Sequence, residues 1–586
     1  MKKSKTLAML LSASMLTGVL AGCAASAPAP AAAPAEAAPA AETAEASAEA
    51  PASGDTVKLE FFDVAANYQG DQVGWFAKVL KDELNLEINI IAPQVAGDAV
   101  YQTRASTGDL GDVLILEKEQ WKDCVANGLV KDISADIASM EYIAPFGEQI
   151  ELLNQAIEGN DGGVYGIPAQ ITDTSPTSYS QDTIYSSPQL RWDLYNEIGA
   201  PEIKDLEGLL DVLQEMKEKF PTNEAGDPCY PFSLWPDWDG GDGMMGIANV
   251  VQLTTWYNQK IKESVILQPD GTFLPLTDRE AGYYRILQFL NHGFQRGLVD
   301  PDSGTQDWNA ACAKMSAGQV YLFWYSWQPG FWNSIDRLKN GTAMQFIPVQ
   351  DQSYYADGDS YFGTGRVFAV GSQVTDEEYA KILEFLNWYA SPRGLTFEHD
   401  GIEGFNYVVN DDGTYTRIND NALMDNLPVP EEYGGGGYND GNNAINQWLL
   451  EAININPNTG EPYSSTYWAS YKAETMTDMK KAWQEMFDAE DQVDYLKKND
   501  MLAVSPNVSV ALPSDSNDIL VIRNQCGETL NDYSWRMIFA ADDAEFDAMW
   551  DEMTDQLNGL GMEQLYENDI AKYQIELDAK NAAMGE

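Results

Sequence analysis

Apolar positions in this chain recur with two periods, and the period changes repeatedly along the sequence. Val57-Lys-Leu-Glu-Phe-Phe62 alternates at period two, which predicts a strand. Val73, Phe76, Val79, Leu80 and Leu84 then recur at helical spacing, and Leu86-Glu-Ile-Asn-Ile-Ile91 alternates again. Strand, helix and strand within about 35 residues predict a βαβ unit with parallel strands and a right-handed crossover. A helix over 100–105 and a short buried strand over 112–116 follow, so the N-terminal part reads as α/β. Further on, Leu206, Leu209, Leu210, Leu213 and Met216 share one face of a predicted helix over 205–220. Residues 320–325 predict a strand. Thr375-Asp-Glu-Glu378 is a capping box that opens a helix through Tyr389. Phe546, Met549, Trp550, Met553 and Leu557 line a helix over 544–557, with Gly559 and Gly561 marking its end. No internal repeat is visible. Gly434 to Gly437, between Tyr433 and Tyr438, reads as a mobile loop or a place of close backbone approach.

The N-terminus carries a different signal. Met1-Lys-Lys-Ser-Lys5 is basic, and an apolar run follows from Leu7 to about Leu20, too short for a membrane span of roughly 20 residues. Leu20-Ala-Gly-Cys23 resembles the bacterial lipobox, which implies cleavage before Cys23 and lipidation of its sulfur. The Ala/Pro/Glu stretch from 24 to about 55 lacks the bulk to offset the entropy of ordering. It reads as a disordered tether holding a folded part away from a membrane. Residues 1–22 are thus expected to be a lipoprotein signal peptide, and 23–55 the lipidated cysteine and tether. The expected location is the extracellular face of the cell membrane.

Composition narrows the chemistry. The formal charge is −56, from 91 acidic and 35 basic residues, which makes nucleic acid and anionic lipid poor partners. Cys124, Cys229, Cys312 and Cys526 are far apart with no Cys-x-x-Cys, so no zinc or redox motif is present, and any disulfide pairing stays open. Two histidines, His292 and His399, give a Ser-His-Asp triad or a histidine metal site little material. No catalytic residue stands out and no cofactor is implied.

Several stretches together resemble the family 1 extracellular solute-binding proteins of ABC importers, in particular their long Gram-positive lipoprotein branch. They are Gly163-Val-Tyr-Gly-Ile-Pro168, Ser187-Pro-Gln-Leu-Arg-Trp-Asp-Leu-Tyr-Asn-Glu-Ile-Gly199, and Gly297-Leu-Val-Asp-Pro-Asp302 followed by Ala317-Gly-Gln-Val320. Val370-Gly-Ser372 with the capping-box helix, Gly401-Ile-Glu-Gly-Phe-Asn-Tyr407 and Gly559-Leu-Gly-Met562 continue the series. The resemblance implies an α/β fold of the two-lobe, type II periplasmic-binding-protein kind, with hinge crossovers and a ligand cleft between lobes. By analogy lobe one takes 56–166 plus 345–420, and lobe two 167–344 plus 421–586. Some members carry a calcium loop after the helix matching 205–220. Here Pro221-Thr-Asn-Glu-Ala-Gly-Asp-Pro228 lacks the alternating oxygen ligands, Asp237, Asp239 and Asp242 are wrongly spaced, and no metal is expected.

A sugar site needs flat apolar faces beside planar polar groups. Two aromatic clusters fit: Tyr230–Asp239, with Trp235 and Trp238 beside Asp239, and Tyr321–Trp332, with seven aromatics in twelve residues. In the second, Trp327 follows the strand and is the better candidate, since open α/β sheets bind ligands beyond strand C-termini. The same rule selects Asn67 and Tyr68, Glu117 and Trp121, and Gln170; Arg366 is a candidate for a hydroxyl or carboxylate. The expected function is capture of a sugar, most naturally an oligosaccharide, by a monomeric, lipid-anchored, non-enzymatic binder. It would deliver that cargo to ABC permease subunits. A peptide or other non-sugar ligand, or a surface glycosidase, is the alternative.

Overall fold

The expected βαβ unit forms. Val57–Asp63 pairs in parallel with Leu86–Ile91, Val57 opposite Leu86 through Phe62 opposite Ile91, and the helix Gly74–Leu84 joins them. The computed structural model describes residues 56–585 apart from 98, 158, 241–243, 420–421, 424 and 511. The expected signal peptide, Cys23 and the expected tether lie outside the described residues.

Six strands make the first sheet, in the order Gly70–Asp71, Leu86–Ile91, Val57–Asp63, Val113–Glu117, Arg366–Val370, Ile167–Pro168. Val113–Glu117 runs parallel to Val57–Asp63, and Arg366–Val370 is antiparallel to it, with Arg366 opposite Glu117. Period-two alternation sorts the side chains to two buried faces. Phe61, Val113, Ile115, Phe368 and Val370 enter one core; Phe62, Leu114, Leu116, Val367 and Ala369 enter the other. That double burial is why Val113-Leu-Ile-Leu116 reads as an unbroken apolar run.

The second lobe is built differently. Ser186–Arg191 lies between Leu322–Tyr325 and Met344–Phe346, antiparallel to both. Around this small sheet pack Leu206–Lys219, Gly282–Gln295, Asn517–Ile538 and Asp543–Leu560, whose apolar faces merge in one core. Asp205 caps the first of these helices by accepting from the Gly208 N–H. The Thr375–Glu378 capping box is present on both sides in the first lobe. Gly561, in the left-handed region at φ 109°, ends Asp543–Leu560, whereas Gly559 lies inside that helix. All four described cysteines are free thiols.

The lobe boundaries differ from those expected at the C-terminal side. Ala422, Val429, Tyr438, Ile445, Leu449, Leu450 and Tyr463 belong to the first lobe's core, not the second's. Phe346, Ile347, Val349, Tyr354 and Ala356, expected in the first, belong to the second. The reason is visible at the glycine run. Gly434, Gly435 and Gly436 all have positive φ, and a Cβ on Gly74 would meet the Gly441 Cα at 2.3 Å. The loop folds flat against the start of Gly74–Leu84, where the Trp75 ring stacks on Tyr438 at 5.1 Å and its Nε1 donates to the Tyr438 carbonyl. Gly74 and Gly441 allow that close approach, and Gly434, Gly435 and Gly436 supply the positive φ of the turn before it. Between the cores the chain crosses three times, through 172–183, 357–366 and 464–478. Where the first two crossings touch, a Cβ on Gly358 would come within 2.3 Å of the Pro176 carbonyl oxygen.

Candidate ligand-binding site

Two patches lie where the crossings leave one lobe and enter the other. The first is the polar end of the six-stranded sheet. Arg366 Nε donates to Glu117 Oε1 at 2.7 Å, and its Nη1 to Gln447 Oε1 at 3.3 Å. Gln447 Nε2 continues to Gln170 Oε1 (2.9 Å), which also accepts from the Thr364 hydroxyl (2.8 Å), while Gln170 Nε2 donates to Glu451 (2.7 Å). Gln170 holds φ at 59°, an uncommon conformation for a residue with a side chain, and marks a constrained turn at the exit from the lobe. Asp63, at the end of its strand, is fully buried. One of its carboxylate oxygens accepts from the Ala65 N–H at 2.8 Å and the other has no hydrogen-bond partner among the described residues. Burial pushes its pKa well above the usual carboxylate range.

The second patch is aromatic and belongs to the second lobe. A bulge interrupts pairing between Phe323 and Tyr325. Gln328, fully buried, fills it by accepting from the backbone N–H groups of Trp324 (2.7 Å) and Tyr325 (2.9 Å). The bulge breaks simple strand alternation and turns the following residues outward. Trp324 stacks on Trp235 at 5.5 Å, Trp235 meets Trp308 at 4.6 Å and Trp238 at 5.0 Å, and Trp238 meets Trp327 at 6.0 Å. Trp327 stacks on Tyr325 at 5.0 Å, and Tyr185 meets Tyr325 edge-on at 5.4 Å. Exposure grades along this wall, from 0% at Trp324 and Trp235 to 37% at Trp327 and 56% at Tyr185.

Two carboxylates hold the wall's loop. Asp237 accepts from the Trp308 N–H at 2.7 Å. Asp239 accepts from the Ala248 N–H (2.8 Å) and from Trp535 Nε1 (2.7 Å). Each pins a helix N-terminus, Trp308–Ser316 and Ala248–Thr254 respectively, against the tryptophan loop.

The expected site residues fall into three groups. Trp121 and Trp235 are fully buried, the first donating its Nε1 to the Tyr165 carbonyl at 3.0 Å, so both are core rather than contact residues. Asp239 is a structural cap, because both its oxygens are engaged by protein donors. Glu117, Gln170 and Arg366 come together in the polar network, and Trp238 and Trp327 in the aromatic wall. Asn67 and Tyr68 sit on an exposed loop after the first strand, where the Tyr68 hydroxyl donates to the Asp71 carbonyl. Tyr185, Trp308, Gln447 and Glu451 were missed. Trp308 lies outside both aromatic clusters in the sequence, and Gln447 and Glu451 come from a segment expected in the other lobe. At the 221–228 loop, Asn223 accepts from the Ala225 and Asp227 N–H groups and donates to the Ala317 carbonyl, so protein atoms close the turn.

Beside the polar edge, Glu398 is bound by the Asn443 amide and by the Tyr389 hydroxyl at 3.2 Å, and burial raises its pKa to about 7. Asp239 is likewise raised, to about 6. A carboxyl with a raised folded-state pKa keeps its proton after the unfolded chain has lost it, so stability falls as pH rises through the interval between the two values. Stability should therefore decline from about pH 4.5 to 7, with Glu398 contributing at most roughly 3 kcal/mol. Glu398→Gln should flatten that decline in denaturant titrations run at pH 5 and pH 8. An unchanged slope would remove Glu398 as its source.

The architecture is that of the two-lobe, type II solute-binding proteins. No protein-family model and no curated protein matches the chain. Solved structures do. The alginate-binding protein AlgQ2, solved without calcium ion, superposes with a TM-score of 0.59 at 15% identity over 89% of this chain and 99% of its own. The S. pneumoniae ABC-transporter substrate binding protein FusA, in complex with kestose, gives 0.55 at 15% identity over 89% and 100%. An HMO-binding, ABC-transporter-associated solute binding protein from Bifidobacterium longum infantis gives 0.52 at 14% identity over 90% and 100%. At these identities the likeness is one of fold.

Proposed function

We propose that the protein captures an oligosaccharide between its lobes and hands it to the transmembrane subunits of an ABC importer. The observation that carries this reading is the graded aromatic wall, rigid at Trp235 and Trp324 and presenting ring faces at Trp327 and Tyr185. The other lobe contributes, where the crossings enter it, the planar polar network of Glu117, Arg366, Gln447 and Gln170. Ring faces suit the C–H faces of pyranoses, and amides and carboxylates suit their hydroxyls. The likeness in fold to three binding proteins whose names specify saccharide ligands supports it. No catalytic step is needed, and the protein should hold its ligand unchanged. Closure of the lobes would bury the sugar and raise thermal stability through linkage.

Lipid anchoring at Cys23, on the outer face of the membrane, completes the proposal. Among the described residues no helix is long and apolar enough to cross a membrane. A Cys23→Ser variant should then appear in the soluble rather than the membrane fraction. The central test is calorimetry against mono- and oligosaccharides, peptides and simple anions. Saturable, stoichiometric binding of one saccharide series is expected, and Trp327→Ala should weaken it about tenfold or more while leaving the unfolding midpoint nearly unchanged. Binding of peptides alone would overturn the sugar reading.

A further inference from the structure

Lys118 is the residue this reading leaves unexplained. It directly follows Glu117 at the polar end of the sheet, and its backbone N–H donates to the Gly365 carbonyl at 3.1 Å. Its backbone is thereby fixed one position beyond the Glu117–Arg366 pair. The neighbouring charges are matched one by one. Glu117 is held by Arg366 at 2.7 Å and Lys122 by Glu119 at 2.8 Å. Glu576, which reaches toward Lys118 from the second lobe's C-terminal helix, is held by Lys262 at 2.9 Å and Lys580 at 3.1 Å. Asp63 is driven toward its neutral acid form by burial. Among the described residues the Lys118 ammonium makes no hydrogen bond and no ion pair, although its side chain is partly buried. Burial, with Lys122 nearby, lowers its pKa to about 8. An ammonium drawn out of water without a partner is a standing cost, and the cost is offset when an anion arrives.

We propose that Lys118 receives a singly charged carboxylate of the captured sugar, so that the cargo is an acidic oligosaccharide bearing uronate or sialate units. The proposal rests on the oligosaccharide reading above and narrows it. One unmatched positive charge at the sheet edge balances one carboxylate. Arg366, Gln447 and Thr364 belong to the network at the same end of the sheet and would hold adjoining hydroxyls. The overall charge of −56 opposes densely charged polyanions and leaves short acidic glycans as the class that this site can attract.

The experiment is binding of the purified protein to a printed panel of neutral, uronate-bearing, sialylated and sulfated oligosaccharides. Calorimetry would follow on the best ligand and on the same ligand with its carboxylate reduced to the alcohol. Acidic members should be retained over their neutral counterparts, and carboxylate reduction should weaken binding roughly 30-fold or more. Lys118→Met should weaken the acidic ligand to a similar degree and leave the reduced one unaffected. Because it removes an unmatched charge, it should not lower the unfolding midpoint of the ligand-free protein. Neutral ligands binding as tightly as acidic ones, a preference for sulfate over carboxylate, or an unaltered acidic affinity in Lys118→Met would overturn the inference and leave the sugar reading standing. So would a lowered ligand-free midpoint with the acid-to-neutral ratio unchanged, since Lys118 would then be a structural counter-charge to Glu576. Failure of every saccharide, with saturable binding of peptides, would overturn both readings.

Discussion

Trp235→Ala is expected to destabilise the second lobe by about 3–5 kcal/mol and to abolish ligand binding as a consequence. The size follows from the surroundings. Trp235 has no exposed surface and touches Trp324, Trp238 and Trp308 with ring centroids 4.6–5.5 Å away. Removing the indole leaves a cavity whose walls are themselves large, stacked rings, and these cannot collapse inward without losing their own contacts. The loss should spread along the wall, because Trp238 and Trp308 hold Trp327 from behind at 6.0 and 5.5 Å. Denaturant titration would show a lowered midpoint for Trp235→Ala and a nearly wild-type midpoint for Trp327→Ala, though both bind ligand poorly. A Trp235→Ala protein of wild-type stability would mean that the indole is not part of the core.

The contrast between these two tryptophans shows where sequence reading stops. Both stand in aromatic, proline-containing loops, and local pattern gives no basis for ranking them. What separates them is the bulge at Phe323–Tyr325 stitched by Gln328, a contact between a strand and its own following turn that no periodicity records. The elements themselves were legible wherever one face is apolar: the βαβ unit, the helix over 206–219 and the capping-box helix all form as their patterns indicate. The polar edge was half legible. Glu117, Gln170 and Arg366 were reachable from strand ends, whereas Gln447 and Glu451 arrive from about 280 residues away through a segment whose lobe the pattern could not assign. Met562–Met584, the last helix, was not legible, because beyond Met562 and Leu565 the residues it buries are the charged Asp569, Lys572 and Lys580.

That charged face carries the second large effect. Arg523, only 7% exposed, donates to Asp569 at 2.7 and 2.9 Å and to Asp515 at 2.7 Å, with Glu263 at 3.3 Å. Asp569 also accepts from the Ser264 N–H at 3.0 Å, and Lys572 pairs with Glu263 at 3.1 Å. The cluster joins Asn517–Ile538, Met562–Met584 and the turn of the Lys260–Lys262/Val265–Leu267 hairpin. Arg523→Ala leaves three carboxylates beside a single Lys572 ammonium, and stranding buried charge in this way should cost about 3–5 kcal/mol. Arg523→Lys should recover only part of that, since an ammonium cannot make the two-pronged contact with Asp569. The arginine holds the Asp569 carboxyl below its usual pKa, so its contribution is present above the unfolded-chain value and fades as pH falls toward the folded one. The gap between wild type and Arg523→Ala should therefore be widest near neutrality and shrink below about pH 4. Hydrogen exchange would show the last helix opening first in the variant. Further along that helix Glu576 and Lys580 reach Lys262, Ser505 and Tyr355, beside the crossing at 357, so its release should also slacken that crossing. Uniform protection across all helices in Arg523→Ala would instead mean that the cluster is dispensable and that apolar packing alone seats the C-terminus.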